Sequence, residues 1–220
     1  MRRVWGGVIA LLLGGCGQQA APLYLPEGDA YPQTLSEWGM VHQVDGHLQP
    51  VGEVLPYDLN TPLFSDHAHK FRTVWMPSGS VAQYGEGTFD YPVGTVLSKT
   101  FYYPRDEQGR LLLDQADVRD PQRGLALKQV HLVETRILLR QKDGWVALPY
   151  VWDDKQQEAQ LEWAGASFDL ELHDEAGQTI AVDYQVPDAN QCAGCHEERA
   201  GQGVTPLGPK ARHLNKTFAY

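Results

Sequence analysis

Cys192-Ala193-Gly194-Cys195-His196 places two thiols three residues apart with an imidazole directly behind the second. This spacing is the attachment signature of a c-type haem. Each thiol can add across one vinyl group of the porphyrin, and the histidine stands where it can bind the iron axially. Two other chemistries use a Cys-x-x-Cys pair. A thioredoxin-like dithiol sits at a helix start inside a βαβ unit, and nothing upstream alternates in that way. A zinc knuckle needs two further ligands at finger-like spacing, and after the pair only His213 is available. The expectation is one covalent haem c, held by Cys192 and Cys195 with His196 as proximal ligand.

The third cysteine has its own explanation. Met1-Arg2-Arg3 supplies a positive start and Val4 to Leu13 an apolar stretch, together a signal peptide. The stretch is about half the roughly 20 residues a membrane-spanning helix needs. It ends in Leu13-Gly14-Gly15-Cys16, which resembles the bacterial lipobox, with cleavage before Cys16 and lipidation of its thiol; an ordinary cleavage site beside an idle cysteine is the plainer alternative. Gly17 in place of Asp resembles lipoproteins sent on to the outer membrane. Residues 1–15 are therefore expected to be the leader, and 16–30 a tether to the lipid anchor, with the protein in the periplasm. Covalent haem attachment takes place outside the inner membrane, so the two motifs support each other.

The chain of 220 residues has a net charge of −10, and losing Arg2 and Arg3 with the leader would make it −12. So acidic a chain argues against nucleic acid as a partner. It would suit a basic redox partner, although solubility explains the charge equally well.

These motifs need a scaffold, and the chain reads as mainly β over 31–186. Thr95 to Tyr103 is rich in β-branched and aromatic residues. Lys128 to Gln141 and Trp145 to Trp152 form a hairpin around Lys142-Asp143-Gly144, where Asp-Gly offers positive φ angles. On its first strand His131, Val133, Thr135, Ile137 and Leu139 are expected to share one face. Phe168, Leu170 and Leu172 alternating with Asp169 and Glu171, then Asp174 to Gly177 and Thr179 to Val186, suggest a second hairpin, and Pro32 to Trp38 a helical turn. Gln156 to Ala164 is the one helical stretch expected between the hairpins. Short strands at this spacing predict an antiparallel sandwich or jelly-roll, not a doubly wound fold, with 187–220 as a C-terminal haem segment.

Further stretches carry a likeness: 55–66 (LPYDLNTPLFSD), Phe71-Arg72, Tyr91 to Val96, Lys99-Thr100-Phe101, Pro206 to Arg212 and Leu214-Asn215. With the haem motif they resemble a family of bacterial c-type cytochromes that are often lipoproteins, some encoded next to parallel β-helix repeat proteins. The resemblance implies haem and export without naming a substrate. Members usually continue to a second haem motif, whereas this chain stops at Phe218-Ala219-Tyr220, as expected of either a shortened, single-haem form or a truncated gene product.

The iron's sixth ligand decides between electron transfer and small-molecule chemistry. Methionine serves in many small cytochromes, but Met40 and Met76 lie far upstream. Gly208-Pro209 resembles the turn of class I cytochromes whose proline carbonyl accepts the proximal histidine's N–H. His213 and His69 are the distal candidates. A His67-x-His69 pair on a strand would put both rings on one face, with hydrogen-bonded surface imidazoles as the alternative, and His69 is the one that matches the family pattern. His131 reads as a core histidine, and His42, His47 and His173 as surface residues. Trp145, Trp152 and Trp163 read as core, with a sugar-stacking platform as the alternative.

Two classes of function remain. In the first, a lipid-anchored electron carrier exchanges electrons with a periplasmic dehydrogenase or another cytochrome. In the second, an open sixth position makes a haem enzyme or a sensor of peroxide or diatomic gases. A ligand-binding β-sandwich lipoprotein is a third. No acid, base or nucleophile constellation stands out, which favours the carrier.

Overall fold

The computed structural model describes residues 23–26, 28–85, 87–113, 118–120, 123–196 and 203–218. The leader, Cys16 and the first part of the tether lie outside these residues. After a 3-10 turn at Ser36–Trp38 come β1 (Val41–Val44), β2 (His47–Pro50), β3 (Leu55–Tyr57), β4 (His69–Trp75) and β5 (Val96–Pro104). They are followed by β6 (Leu111–Leu112), β7 (Arg119–Asp120), β8 (Gly124–Ala126), β9 (Val130–Gln141) and β10 (Gly144–Trp152). The last strands are β11 (Ala159–Leu161), β12 (Ala166–His173) and β13 (Thr179–Val186), ahead of helices α1 (Ala189–His196) and α2 (Ala211–Leu214). The protein is mainly β, with antiparallel sheets.

The largest sheet runs β11-β10-β9-β5-β4-β3, flanked by sheets ordered β1-β2-β8-β7 and β13-β12-β6. Every ladder is antiparallel except the short β12–β6 pairing. Both expected hairpins form, β9–β10 and β12–β13. The loop of the first consists of Lys142 and Asp143, neither left-handed, with Gly144 at φ 154° opening the return strand.

Both faces of the six-stranded sheet carry an apolar cluster. On one face Phe71, Val96, Tyr102, Ile137, Leu139, Leu148, Tyr150 and Trp152 pack with Trp38, Met40, Val41, Leu48 and Leu125. Phe101, Tyr103 and Val133 pack on the other face with Leu172, Tyr184 and Val186 of β12 and β13. Burial on both faces explains the long apolar runs of β5 and β9.

A register shift between Phe101 and Tyr102 interrupts the alternation expected along β9. The extra residue on β9 re-aims the chain beyond it. Leu132 joins Ile137 and Leu139 in the first cluster, while Val133 lies in the second. The single shared face expected for His131 to Leu139 is thus split at the bulge. It leaves Glu134 fully buried on the face of the second cluster, where it receives the Tyr184 hydroxyl at 2.6 Å.

The helix expected over Gln156 to Ala164 is absent, and its residues 159–161 form β11 on the edge of β10. Gln156 takes φ 57°, and its amide both accepts from the Leu132 N–H (2.5 Å) and donates to the Leu132 carbonyl (3.1 Å). A side chain that completes the backbone pairing of β9 holds this residue out of helical conformation.

Candidate functional site

The motif lies on α1, and the sequence ahead of it explains where the helix starts. Asp188 Oδ1 accepts from the Gln191 N–H (2.7 Å) while Gln191 Oε1 accepts from the Asp188 N–H (3.0 Å), a reciprocal cap on the first turn. Gly165, in the turn before β12 at φ 72°, passes so close to this junction that a Cβ there would stand 2.4 Å from the Val186 carbonyl oxygen. Only glycine fits against the backbone where the chain leaves β13 for α1.

Helical spacing of three and four residues brings Cys192, Cys195 and His196 to one side of α1. Both cysteines are free thiols, Cys192 buried and Cys195 exposed. Burial pushes the Cys192 thiol above its ordinary range, and the Arg136 guanidinium partly opposes this.

His196 is held from outside its helix. Its Nδ1 lies 2.8 Å from the Thr205 carbonyl, and its own carbonyl accepts from the Thr205 N–H (2.7 Å) and hydroxyl (2.9 Å). A carbonyl only accepts, so Nδ1 carries the proton and Nε2 holds the lone pair. The expected bond exists, but Thr205 makes it in place of Pro209. Pro206 restricts Thr205 to extended backbone, which presents that carbonyl. Burial lowers the His196 pKa, the Thr205 bond raises it, and the charges of Lys99 and Arg136 lower it further.

The tail beyond is fastened to the loop before β4. The Asn60 N–H donates to the His213 carbonyl (2.8 Å), and its side-chain amide to the carbonyls of Arg212 (3.0 Å) and Asn215 (3.2 Å). Lys216 pairs with Asp58 at 2.9 Å, and Arg72 approaches the same carboxylate at 3.5 Å. His213 Nδ1 accepts from the Lys210 N–H (3.3 Å), and its Nε2 lies 3.4 Å from Arg212 Nε, so donors of the tail itself approach both ring nitrogens.

His67 and His69 do not share a strand face. His67 has φ 62° in the turn before β4, its ring edge-on to Phe64, whereas His69 begins β4 and stacks on Tyr102 at 5.6 Å. Both line a cleft of about 460 Å³ with Pro62, Leu63, Phe64 and Arg72. Strand alternation directs His69 to the face of Phe71, opposite to Lys70 and Arg72.

The tryptophans lie apart. Trp145 meets Tyr91, Trp163 meets Tyr31, and Trp152 is buried with its indole N–H on Thr135. They make no common platform; Trp152 is core, and Trp163 is 46% exposed. His42 is exposed, and His47 and His173 are half-buried. His131 is half-buried as well, with its pKa lowered by burial and then by Arg105.

Sequence reasoning missed a row of cations within electrostatic reach of the motif. Arg72, Lys99 and Arg136 stand directly opposite one another across β4, β5 and β9, with Lys70 two residues from Arg72. Lys70, Lys99 and Arg136 all approach the ring of Phe101, at 5.8, 5.0 and 4.5 Å. The lysines and arginines are visible in the sequence, but their alignment depends on strand registers that it does not display.

Among the described residues no group of three or more His, Cys, Asp or Glu side chains could enclose a bare metal ion, and no helix is long and apolar enough to cross a membrane. A haem iron asks the protein only for axial ligands. No family model, curated protein or solved structure matches the chain.

Proposed function

We propose that the protein is an exported c-type cytochrome that carries electrons through one covalent haem. Cys192 and Cys195 would hold the porphyrin and His196 Nε2 the iron. The observation that carries this reading is the Thr205 carbonyl on His196 Nδ1, which fixes the tautomer and leaves the lone pair on Nε2, on a helix that also bears both thiols. Such a bond orients a ligating imidazole and raises its basicity. The two cysteines are not paired with each other, as thioether formation requires.

When bound, the haem supplies a one-electron couple. The chain's own residues do the rest: Thr205 sets the His196 ring, Asp188 and Gln191 start the helix, and Asn60 and Asp58 hold the tail against the β domain. Of the distal candidates, His69 is directed to the face opposite Lys70 and Arg72, and donors of the tail approach both His213 ring nitrogens, so neither supports an assignment of the sixth ligand. Lipidation of Cys16 would anchor the protein to the periplasmic side of the outer membrane, within reach of a dehydrogenase or another cytochrome.

The test is a haem stain on a denaturing gel after expression with cytochrome c maturation, with an alkaline pyridine spectrum of the same sample. Colour that stays with the polypeptide, and is lost in the Cys192→Ala, Cys195→Ala variant, is the expected result. A colourless wild-type chain under those conditions overturns the reading.

A further inference from the structure

We propose that Lys70, Lys99 and Arg136 form a seat for carboxylates and receive the propionate groups of the porphyrin; the inference rests on the haem reading above. Three cations converge on one aromatic ring, Phe101, with Arg72 directly beside Lys99 across the strands. Facing side chains on neighbouring strands are about 5 Å apart, so these charges repel one another at close range.

The carboxylates in this neighbourhood are already engaged. Glu134 takes both Arg136 nitrogens, at 2.7 and 2.5 Å, together with the Tyr184 hydroxyl. Asp58 faces Arg72, Arg119 and Lys216. Lys70 donates to the Leu63 carbonyl, a neutral acceptor, and feels Asp66 only at longer range. Lys99 lies over the Phe101 ring and makes no ion pair among the described residues.

A half-buried cation without a direct ion pair is costly. Lys99 is one, its pKa brought down to about 7 by burial first and then by Arg136 and Arg72, with Glu134 opposing them. Positive excess inside a chain of net charge −10 marks this one face. Lys99 and Arg136 also act on His196, and Arg136 on Cys192, so the cations lie within electrostatic reach of the motif. A porphyrin tethered at Cys192 and Cys195 is a dianion through its two propionates, and it would supply the missing charge.

The experiment uses the full chain carrying Cys192→Ala and Cys195→Ala, titrated with ferric protohaem and, separately, with its dimethyl ester, each followed in the Soret band. The expected result is protohaem binding at least tenfold tighter than the ester, with Lys70→Gln plus Lys99→Gln removing that preference and leaving ester affinity unchanged. Roughly tenfold is what one charge-assisted hydrogen bond supplies. Lys70→Arg plus Lys99→Arg, which keeps the charges, should retain the preference, and near-ultraviolet circular dichroism checks that each variant is folded. Equal affinity for the two porphyrins, or an equal loss of both in the glutamine variant, overturns the seat alone, since the covalent-haem test stands apart from it. No binding of either porphyrin, together with a colourless wild-type chain, overturns the seat and the haem reading together.

Discussion

Removing the charge of Glu134 is the sharpest test of how the β framework holds its cationic face. Its carboxylate is fully buried and receives Arg136 Nε, Arg136 Nη2 and the Tyr184 hydroxyl. Glu134→Gln keeps the shape but leaves Arg136 without its counter-ion, and the new amide presents a donor to groups that are already donors. Breaking a buried pair from one side costs about 3–5 kcal/mol. The Arg136 side chain keeps 26% exposure, so water recovers part of that and the lower end, about 3 kcal/mol, applies.

Urea unfolding followed by tryptophan fluorescence is the assay. With a slope of roughly 2 kcal/mol per molar for a chain of this size, the midpoint should fall by about 1.5 M. Tyr184→Phe removes a single bond to the same carboxylate and should cost about 1.5 kcal/mol. The double variant should lose less than the two single losses combined, because both act on one network. A midpoint for Glu134→Gln within about 0.3 M of wild type, at unchanged slope, would refute the reasoning and mean that Arg136 is adequately solvated without its partner.

Tyr150→Phe should cost about 2 kcal/mol in the same assay, because the buried Tyr150 hydroxyl both accepts from Trp38 Nε1 (2.6 Å) and donates to the Pro32 carbonyl (2.8 Å). Gly165→Ala should lower the melting temperature by several degrees, the cost of a Cβ 2.4 Å from the Val186 carbonyl at a left-handed φ; an unchanged melting temperature would show that the β13–α1 junction yields freely. The His131 pKa lies below the ordinary 6.5, lowered by burial and then by Arg105. The unfolded chain therefore binds the proton more readily, and stability falls as the pH drops below 6.5. His131→Asn should reduce the slope of urea midpoint against pH in that window, and an identical slope would count against the assignment.

The strands were legible where local pattern and tertiary need agree. β5 and the two hairpins follow from β-branched and aromatic runs bounded by turn residues, and they form as expected. The helix that bears the motif was not foreseen, although Asp188 and Gln191 at capping spacing are the signal that could have shown it. Two failures have a common cause. The bulge beside Phe101 and Tyr102 and the strand at Ala159–Leu161 both depend on what a neighbouring strand offers, a register shift in one and an open edge in the other. Gln156 illustrates it, being a good helix former in isolation that is drawn instead to the Leu132 backbone. The carbonyl that holds His196 was foreseen, but its owner was not, because Thr205-Pro206 and Gly208-Pro209 present a carbonyl beside proline at similar distance along the chain.

Arg136 shows why the segment bearing the motif works as part of the β framework. Its guanidinium is fixed by Glu134, lies over Phe101, and reaches electrostatically to both Cys192 and His196. The tail that carries Thr205 is in turn held by Asn60 and Asp58, which precede β4. A peptide of residues 187–218 would keep the two thiols, the imidazole and the Thr205 carbonyl, yet lose every cation of the sheet and every anchor of the tail. Under the proposed function, porphyrin attachment asks only for the five residues of the motif, but the field around the iron and the cover over the porphyrin would come from strands more than fifty residues upstream.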